Sequence, residues 1–125
     1  MNGLTGTIQV LIYAPPESVE MLQEFYEKLL GEPPYYSWHE SGIDCGVKFR
    51  IGSSAIAVLC HGHGTAMGPS ALNIECEDID AFYERLRPLV PGQILNGPHT
   101  QPYGTYCFSI RDPLNNIINI YKNGH

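Results

Sequence analysis

The chain has 125 residues, the size of one domain and enough to bury about two thirds of the surface that the unfolded form exposes. Hydrophobic residues make up 43% and charged residues only 16%, below the usual ~25%, and the net charge is -6. Nucleic acids and anionic membrane surfaces bind proteins through Lys and Arg, and this acidic chain has no basic run. We therefore expect neither nucleic acid nor a membrane as a partner.

The sequence indicates neither a membrane span nor a secretory signal. No apolar run approaches the ~20 residues that a span needs. The N-terminal stretch MNGLTGTIQ lacks the charged start and the apolar core of a signal peptide. A cytoplasmic location is therefore expected. The four cysteines stand far apart in strand-like runs, without a C-x-x-C pair, and are expected to be free buried thiols.

The first half of the chain begins with a strand and an amphipathic helix. Residues 7–13 (TIQVLIY) have the composition of a strand. Residues 18–30 carry apolar side chains at i, i+3, i+4, i+7 and i+8, which is the stripe of a helix, and Gly31 and Pro33 end it. Three strand-like runs follow, at residues 34–39, 45–51 and 55–60. This half is predicted to be βαβββ.

The second half repeats this order. Residues 71–76 (ALNIEC) predict a strand and residues 78–89 a helix, with Asp78 at its positive N-terminal end. Its apolar stripe consists of Ile79, Phe82, Leu86 and Leu89. Strand-like runs follow at residues 93–95, 105–110 and 117–121. The helices share a pentad, FYEKL at 25–29 and FYERL at 82–86, so an internal duplication is predicted.

A turn joins the last two predicted strands. It reads Asp112-Pro113-Leu114-Asn115-Asn116, in which proline presets φ, the Asp112 side chain can accept hydrogen bonds from backbone N–H groups further on, and Asn tolerates the left-handed conformation. Together with Gly104 and Ile120, this stretch resembles the ending of the vicinal oxygen chelate superfamily, which includes glyoxalase I, bleomycin resistance proteins and extradiol dioxygenases. Asn115 replaces the family's usual glycine, and Asn119 stands where metal-binding members have glutamate.

The resemblance covers almost the whole chain and implies its fold and assembly. The expected fold is α+β, with two βαβββ modules that form a half-open barrel of the glyoxalase/bleomycin resistance type. The expected organisation is a single domain, residues 1–125, with module one at 5–61, a linker at 62–69 and module two at 70–122. A homodimer is expected, because relatives of this length complete or cover their pockets with a second subunit.

The resemblance also bears on metal binding. In the metal enzymes of the superfamily, four ligands come from the first and last strands of the two modules. The matching positions here are Gln9, about Ala57, Ala71 and Asn119. Divalent metals are held by several carboxylate or imidazole donors, and of these four only Gln9 could serve. Neither a metal nor another cofactor is therefore expected.

Strand alternation and the resemblance select candidate ligand-binding side chains. Trp38 shares a strand face with Tyr36 and could form a stacking wall for a flat ligand, with packing in the core or in a dimer as the alternative. His99 falls in a segment that overhangs the pocket in relatives. Arg50 and Glu75 could instead form a surface pair. The candidate ligand-binding residues are Gln9, Trp38, Arg50, Asn73, Glu75, His99, Tyr103, Asn119 and Tyr121.

Three functions remain open at this point. The favoured one is a metal-free protein that binds a small, partly aromatic molecule in a concave pocket. The alternative is a metal-dependent lyase, isomerase or dioxygenase whose displaced ligands come from Gln9, His61, His63, Glu75 or His99. The third is a structural or regulatory module that binds a protein partner. The spacing of residues assigns no catalytic residue, because it shows no Ser/His/Asp or Cys/His arrangement.

Overall fold

The computed structural model describes residues 3–61, 70–102 and 104–122. The chain divides into two compact units, residues 1–68 and 69–125, and this boundary falls within the predicted linker, residues 62–69. Within the described ranges, no helix has the length and apolar character required to cross a bilayer.

The first unit is a four-stranded sheet with one helix. A 3-10 turn at Pro16–Ser18 leads directly into the helix. The elements are β1 (Gln9–Tyr13), α1 (Val19–Leu30), β2 (Tyr36–Ser41), β3 (Asp44–Ile51) and β4 (Ser54–His61). The strand order is β1-β4-β3-β2, with β1 parallel to β4 and the other pairs antiparallel.

The second unit has the same plan. Its elements are β5 (Ala71–Glu75), α2 (Ile79–Leu86), β6 (Ile94–Thr100), β7 (Tyr106–Arg111) and β8 (Ile117–Lys122). The strand order is β5-β8-β7-β6, again with one parallel pair, β5 with β8. The predicted α+β fold class with two βαβββ modules is confirmed.

Aromatic packing between helix and sheet follows the repeated pentad. In the first unit the ring of Tyr26 lies 6.3 Å from that of Phe49 on β3. In the second unit Tyr83 and Phe82 lie 5.2 and 6.3 Å from Phe108 on β7. Phe49 on β3 and Phe108 on β7 occupy the third strand of each module. The pentad that the two helices share therefore makes equivalent contacts in both units.

Local residues set the C-terminus of α1 and the N-terminus of α2. Gly31 ends α1 in the left-handed conformation, φ 75°, where glycine is favoured. Asp78 caps α2 by accepting a hydrogen bond from the Ala81 N–H at 3.1 Å. The prediction that this helix reaches residue 89 is wrong, because it ends at Leu86, and Pro88 has no backbone N–H with which to continue the helical hydrogen bonds. Leu89 consequently lies outside the apolar stripe and is 42% exposed.

Strand β6 is longer than predicted and contains Gly97, Pro98 and His99, which the sequence placed in a loop. Proline lacks an N–H donor and is tolerated in a sheet mainly at edges and bulges. Both conditions hold here, since β6 is the edge strand of its sheet and its register with β7 shifts between Ile94 and His99. His99 therefore lies on a strand, opposite Cys107.

Hydrogen bonds to the buried carboxylate of Asp112 stabilise the turn between β7 and β8. Oδ1 of Asp112 accepts hydrogen bonds from the N–H groups of Leu114 and Asn116, both at 2.9 Å, and Oδ2 accepts one from Asn116 Nδ2 at 2.8 Å. The Asn116 side chain in turn accepts from the Ser70 N–H at 2.7 Å. Asn115 has a φ of 68°, the left-handed value that the sequence predicted. The turn thus joins the β7–β8 hairpin to the start of β5.

We expect Asp112→Ala to lower the free energy of unfolding by about 3 kcal/mol, because it leaves three hydrogen-bond donors without their acceptor in a buried turn. Chemical denaturation of the full chain measures this change. Asn115→Gly is the matched control in the same turn, and it should change stability by less than about 0.5 kcal/mol because glycine adopts the same φ freely. Equal effects of the two substitutions would contradict the role given to Asp112.

Candidate functional site

In the first unit, alternate side chains of each strand point away from the helix. Those that face the helix include the buried Ile12, Val47, Phe49, Ile56 and Val58. Those on the opposite face include Gln9, Leu11, Tyr13, Tyr36, Trp38, Lys48 and Arg50. This face is the more exposed of the two.

Aromatic and cationic side chains cluster on this face, beside and along β2 and β3. We call Tyr35, Tyr36, Trp38, Lys48 and Arg50 the aromatic surface. The rings of Tyr36 and Trp38 lie 6.0 Å apart and are tilted by 32°. The Lys48 ammonium lies over both rings, 5.5 and 6.0 Å from their centroids, and the Arg50 guanidinium lies 4.1 Å from the centroid of Tyr35. Each cation is thus held by the negative face of a ring.

Two neighbours hold the Trp38 ring in place. Its Nε1–H donates a hydrogen bond to Asp44 Oδ1 at 3.0 Å. Gly46 pairs with Trp38 across the strands, and a Cβ at that position would lie 2.5 Å from the Trp38 Cη2 atom. Only glycine lets the ring lie this close to the strand. The tryptophan is therefore a fixed, half-buried platform.

The second unit carries polar side chains on the face of its sheet away from α2. Strand pairing aligns them in two rows, which we call the polar rows. The first runs Asn73, Asn119, Ser109 and Asn96. The second runs Glu75, Tyr121, Cys107 and His99. The opposite face consists of apolar side chains that include the buried Leu72, Phe108, Ile110, Ile118 and Ile120.

Hydrogen bonds fix the orientation of the first polar row. Asn119 Nδ2 donates to Asn73 Oδ1 at 2.8 Å, and Ser109 Oγ donates to Asn119 Oδ1 at 2.7 Å. The Ser109 N–H donates to Asn96 Oδ1 at 3.0 Å. Both ends of the Asn119 amide are therefore engaged by neighbours within the sheet.

His99 of the second row is also engaged through both ring nitrogens. Nδ1 lies 2.9 Å from the Gly97 carbonyl oxygen, which can only accept, so this nitrogen is the donor. Nε2 then accepts from the Gln101 amide at 3.2 Å, and the same amide group lies 3.4 Å from the Cys107 sulfur. The contacts fit a neutral imidazole with its proton on Nδ1.

A further hydrogen bond links α2 to the sheet of the second unit. The Tyr106 hydroxyl donates to Asp80 Oδ1 at 2.6 Å. This bond to a carboxylate raises the pKa of the Tyr106 phenol, because the phenolate could not donate it.

The positions that the resemblance matched to metal ligands do not fit a metal. In the first unit they are Gln9 and Ala57, and in the second Ala71 and Asn119, whose amide is already bonded at both ends. Alanine has no donor atom, so neither unit supplies more than one amide side chain. Among the described residues, no group of three or more His, Cys, Asp or Glu is placed to hold a metal ion.

The candidate ligand-binding residues lie on these surfaces, with one outside the described residues. The first unit holds Gln9, Trp38 and Arg50, with Gln9 and Arg50 both paired to Ala55 across the sheet. The second unit holds Asn73, Glu75, His99, Asn119 and Tyr121 in the polar rows. Tyr103 lies outside the described residues, as do His63 and the side chain of His61, two of the alternative metal ligands.

The structure adds residues that the sequence analysis did not select. Lys48 could have been found from strand alternation, because it lies between the buried Val47 and Phe49. The contacts of Asp44 and Gly46 with Trp38 depend on the pairing of β2 with β3, which a single sequence does not specify. Ser109 and Gln101 likewise depend on pairing for their place beside Asn119 and His99.

A groove of about 970 Å³ lies on the helix side of the first sheet, between α1 and the strands β2 and β3. Of the candidate ligand-binding residues, only Trp38 borders it. Its lining includes Glu17, Glu20, Gln23, Glu24, Glu27, Ser37, His39, Cys45 and Val47. The groove therefore lies on the opposite side of the sheet from most of the aromatic surface, and the two share Trp38.

Comparison with known proteins identifies solved structures that share the fold of this chain. No family model matches the sequence, and no curated protein matches it. Solved structures do match over nearly the whole chain. Lactoylglutathione lyase from Agrobacterium tumefaciens is 17% identical, with 96% of this chain and 95% of that chain covered and a TM-score of 0.72.

Two further structures agree. A glyoxalase/bleomycin resistance protein from Catenulispora acidiphila is 16% identical, with 96% and 98% of the two chains covered and a TM-score of 0.68. A member of the glyoxalase/bleomycin resistance protein/dioxygenase superfamily from Sphaerobacter thermophilus is 16% identical, with 96% and 98% covered and a TM-score of 0.71. At these identities the likeness establishes the fold. The chain has the glyoxalase/bleomycin resistance fold of the vicinal oxygen chelate superfamily, as the ending of its sequence indicated.

Proposed function

We propose that this protein binds a small, flat, partly aromatic molecule that carries an anionic group, and that the molecule stacks on the aromatic surface of the first unit. One observation carries the proposal: Trp38 is fixed by Asp44 and Gly46 while Lys48 lies over its ring. Such a platform presents both a stacking face and a positive charge.

The exposure of the aromatic surface supports a binding role rather than a core role. Tyr36 is 53% exposed and Tyr35 44% exposed, although both are large rings of the kind that normally contribute to a core. Exposed aromatic side chains held in one orientation lose little conformational entropy when a ligand binds. The aromatic surface is therefore prepared for stacking.

The charges on the surface favour an anionic group on the ligand. The Lys48 ammonium contacts two rings, and among the described residues no carboxylate forms an ion pair with it. Arg50 stacks on Tyr35 and keeps guanidinium N–H donors that a carboxylate can bind in a bidentate manner. An aromatic carboxylate satisfies both requirements.

The second unit carries a separate, polar surface of its own. The polar rows offer amide, hydroxyl, carboxylate and imidazole groups on one face, and their mutual hydrogen bonds orient them before any ligand arrives. The proposal needs no metal, in keeping with the donor atoms at the matched positions.

The homodimer and the cytoplasmic location expected from the sequence stay predictions. Several large apolar side chains of the first unit are exposed, among them Leu4 and Ile8 at 69% and 64%. Exposed apolar residues often take part in protein–protein interfaces, so these side chains are compatible with a second subunit.

Ligand binding is testable through the single tryptophan. Titration with 2-naphthoate should quench or shift Trp38 fluorescence saturably, whereas 2-naphthylmethylamine and cyclohexanecarboxylate should bind at least about tenfold more weakly, because one lacks the negative charge and the other the aromatic ring. Lys48→Gln should weaken naphthoate binding about tenfold, and Lys122→Gln, at the exposed end of β8, is the matched control. Equal binding of the three compounds would contradict the proposal.

Substitution of two glycines tests whether ligand binding requires the Trp38 ring in its present position. Gly46→Ala should displace the Trp38 ring and weaken naphthoate binding at least about tenfold, because the new Cβ would lie 2.5 Å from the ring and 2.5 Å from the backbone oxygen of Val58. Gly42→Ala, in the same unit, has open space around its Cβ position and should leave binding unchanged. Near-ultraviolet circular dichroism reports the position of the ring. If the Gly46 variant keeps both the spectrum and the affinity, the fixed platform is not required.

A further inference from the structure

Two cysteines of the first unit lie directly opposite each other in its sheet. Cys45 of β3 and Cys60 of β4 are register partners in an antiparallel ladder, and both thiols are free. Directly opposed residues in such a ladder have Cα atoms about 4.5 to 5.5 Å apart. A disulfide joins Cα atoms that are about 4.4 to 6.8 Å apart. The backbone therefore already provides the spacing that a disulfide needs.

The two thiols differ in access. Cys45 is half-buried and lines the groove beside α1. Cys60 is 3% exposed, and its sulfur lies 3.6 Å from the Ile43 carbonyl oxygen. Burial raises the pKa of the Cys60 thiol, and the nearby ionisable groups of Cys45, Glu17 and Asp44 raise it further. Cys45 is consequently the thiol that a reagent entering the groove meets first.

The negative charge of the groove favours cationic reagents over anionic ones. Glu20, Glu24 and Glu27 line its helical side, at spacings that place them along one side of α1, and Glu17 of the preceding 3-10 turn also lines it. Among the described residues that line the groove, none is Lys or Arg. A cleft lined by one sign of charge raises the local concentration of the opposite sign. Cations are therefore favoured next to Cys45.

We propose that Cys45 and Cys60 form a thiol–disulfide exchange site for small cationic disulfides, of the kind formed by oxidation of an aminothiol. The Cys45 thiolate attacks one sulfur of the disulfide, and the released thiolate takes up a proton. The Cys60 thiolate then attacks the Cys45 sulfur of the mixed disulfide and releases the second aminothiol. Two protein thiols are oxidised to one cross-strand disulfide, and one small disulfide is reduced to two thiols.

The fluorescence of Trp38 can report the reaction at this site. Cys45 lies between Asp44 and Gly46, the two residues that hold the Trp38 ring. Formation of the cross-strand bond should therefore change Trp38 fluorescence. This inference does not depend on ligand binding to the aromatic surface, because its chemistry uses only the two thiols and the groove.

The test uses the reduced full chain and two matched disulfides, cystamine, which is cationic, and 3,3′-dithiodipropionate, which is anionic. Each reaction is quenched by alkylation and mapped by non-reducing peptide mass spectrometry. Each rate is divided by the rate with the same chain unfolded in guanidinium, which removes the intrinsic reactivity of the reagents. The expected product is the Cys45–Cys60 cross-link, and the folded chain should prefer cystamine roughly tenfold.

Variants separate the steps and the charge effect. Cys60→Ala should stop the reaction at a mixed disulfide on Cys45, and Cys45→Ser should leave Cys60 unmodified over the same time. Glu20→Gln with Glu24→Gln should reduce the preference for cystamine. Modification of Cys76 or Cys107 before Cys45, or no Cys45–Cys60 cross-link in the unsubstituted chain, would overturn the exchange site. Equal corrected rates for the two reagents would overturn its selectivity for cations.

Discussion

The buried pair of Asp112 and Asn116 is the constraint on which the second unit depends. One carboxylate accepts hydrogen bonds from two backbone N–H groups and one side-chain amide, and the side-chain Oδ1 of Asn116 accepts one from the N–H of Ser70, just before β5. These bonds bring the parallel strand β5 into register with β8 and β7. That register places Asn73, Asn119 and Ser109 in one hydrogen-bonded row, so the chemistry of the surface follows from the turn.

The two units use one topology for different surfaces. Both place an aromatic side chain on the third strand of the module, Phe49 or Phe108, beneath the tyrosine of the helix. On the opposite face the first unit exposes rings and cations, whereas the second exposes amides, hydroxyls and a carboxylate. The duplication thus preserves the packing between helix and sheet while the other face varies. That face is where a fold of this kind can acquire a new ligand without loss of its core.

Much of the fold could be predicted because its signals are local. The helix stripes, the glycine stop at Gly31 and the Asp-Pro turn are predicted from neighbouring residues, and strand period placed Trp38 on the same strand face as Tyr36. The features that the sequence did not predict depend on contacts between residues that are distant in the chain. Strand β6 could accept Pro98 only because it is an edge strand, and Cys45 meets Cys60 only through pairing of β3 with β4. The contacts that fix Trp38 also arise from pairing.

The central claim is that the ring of Trp38 is the platform on which an anionic aromatic molecule stacks. Its indole N–H gives a single cross-peak in a ¹H–¹⁵N spectrum, because the chain has one tryptophan. The most direct measurement follows this peak during titration with 2-naphthoate, together with the Asn119 side-chain amide. The account predicts a saturable shift of the indole peak larger than that of the amide. An indole peak that stays in place while other resonances move saturably would contradict it.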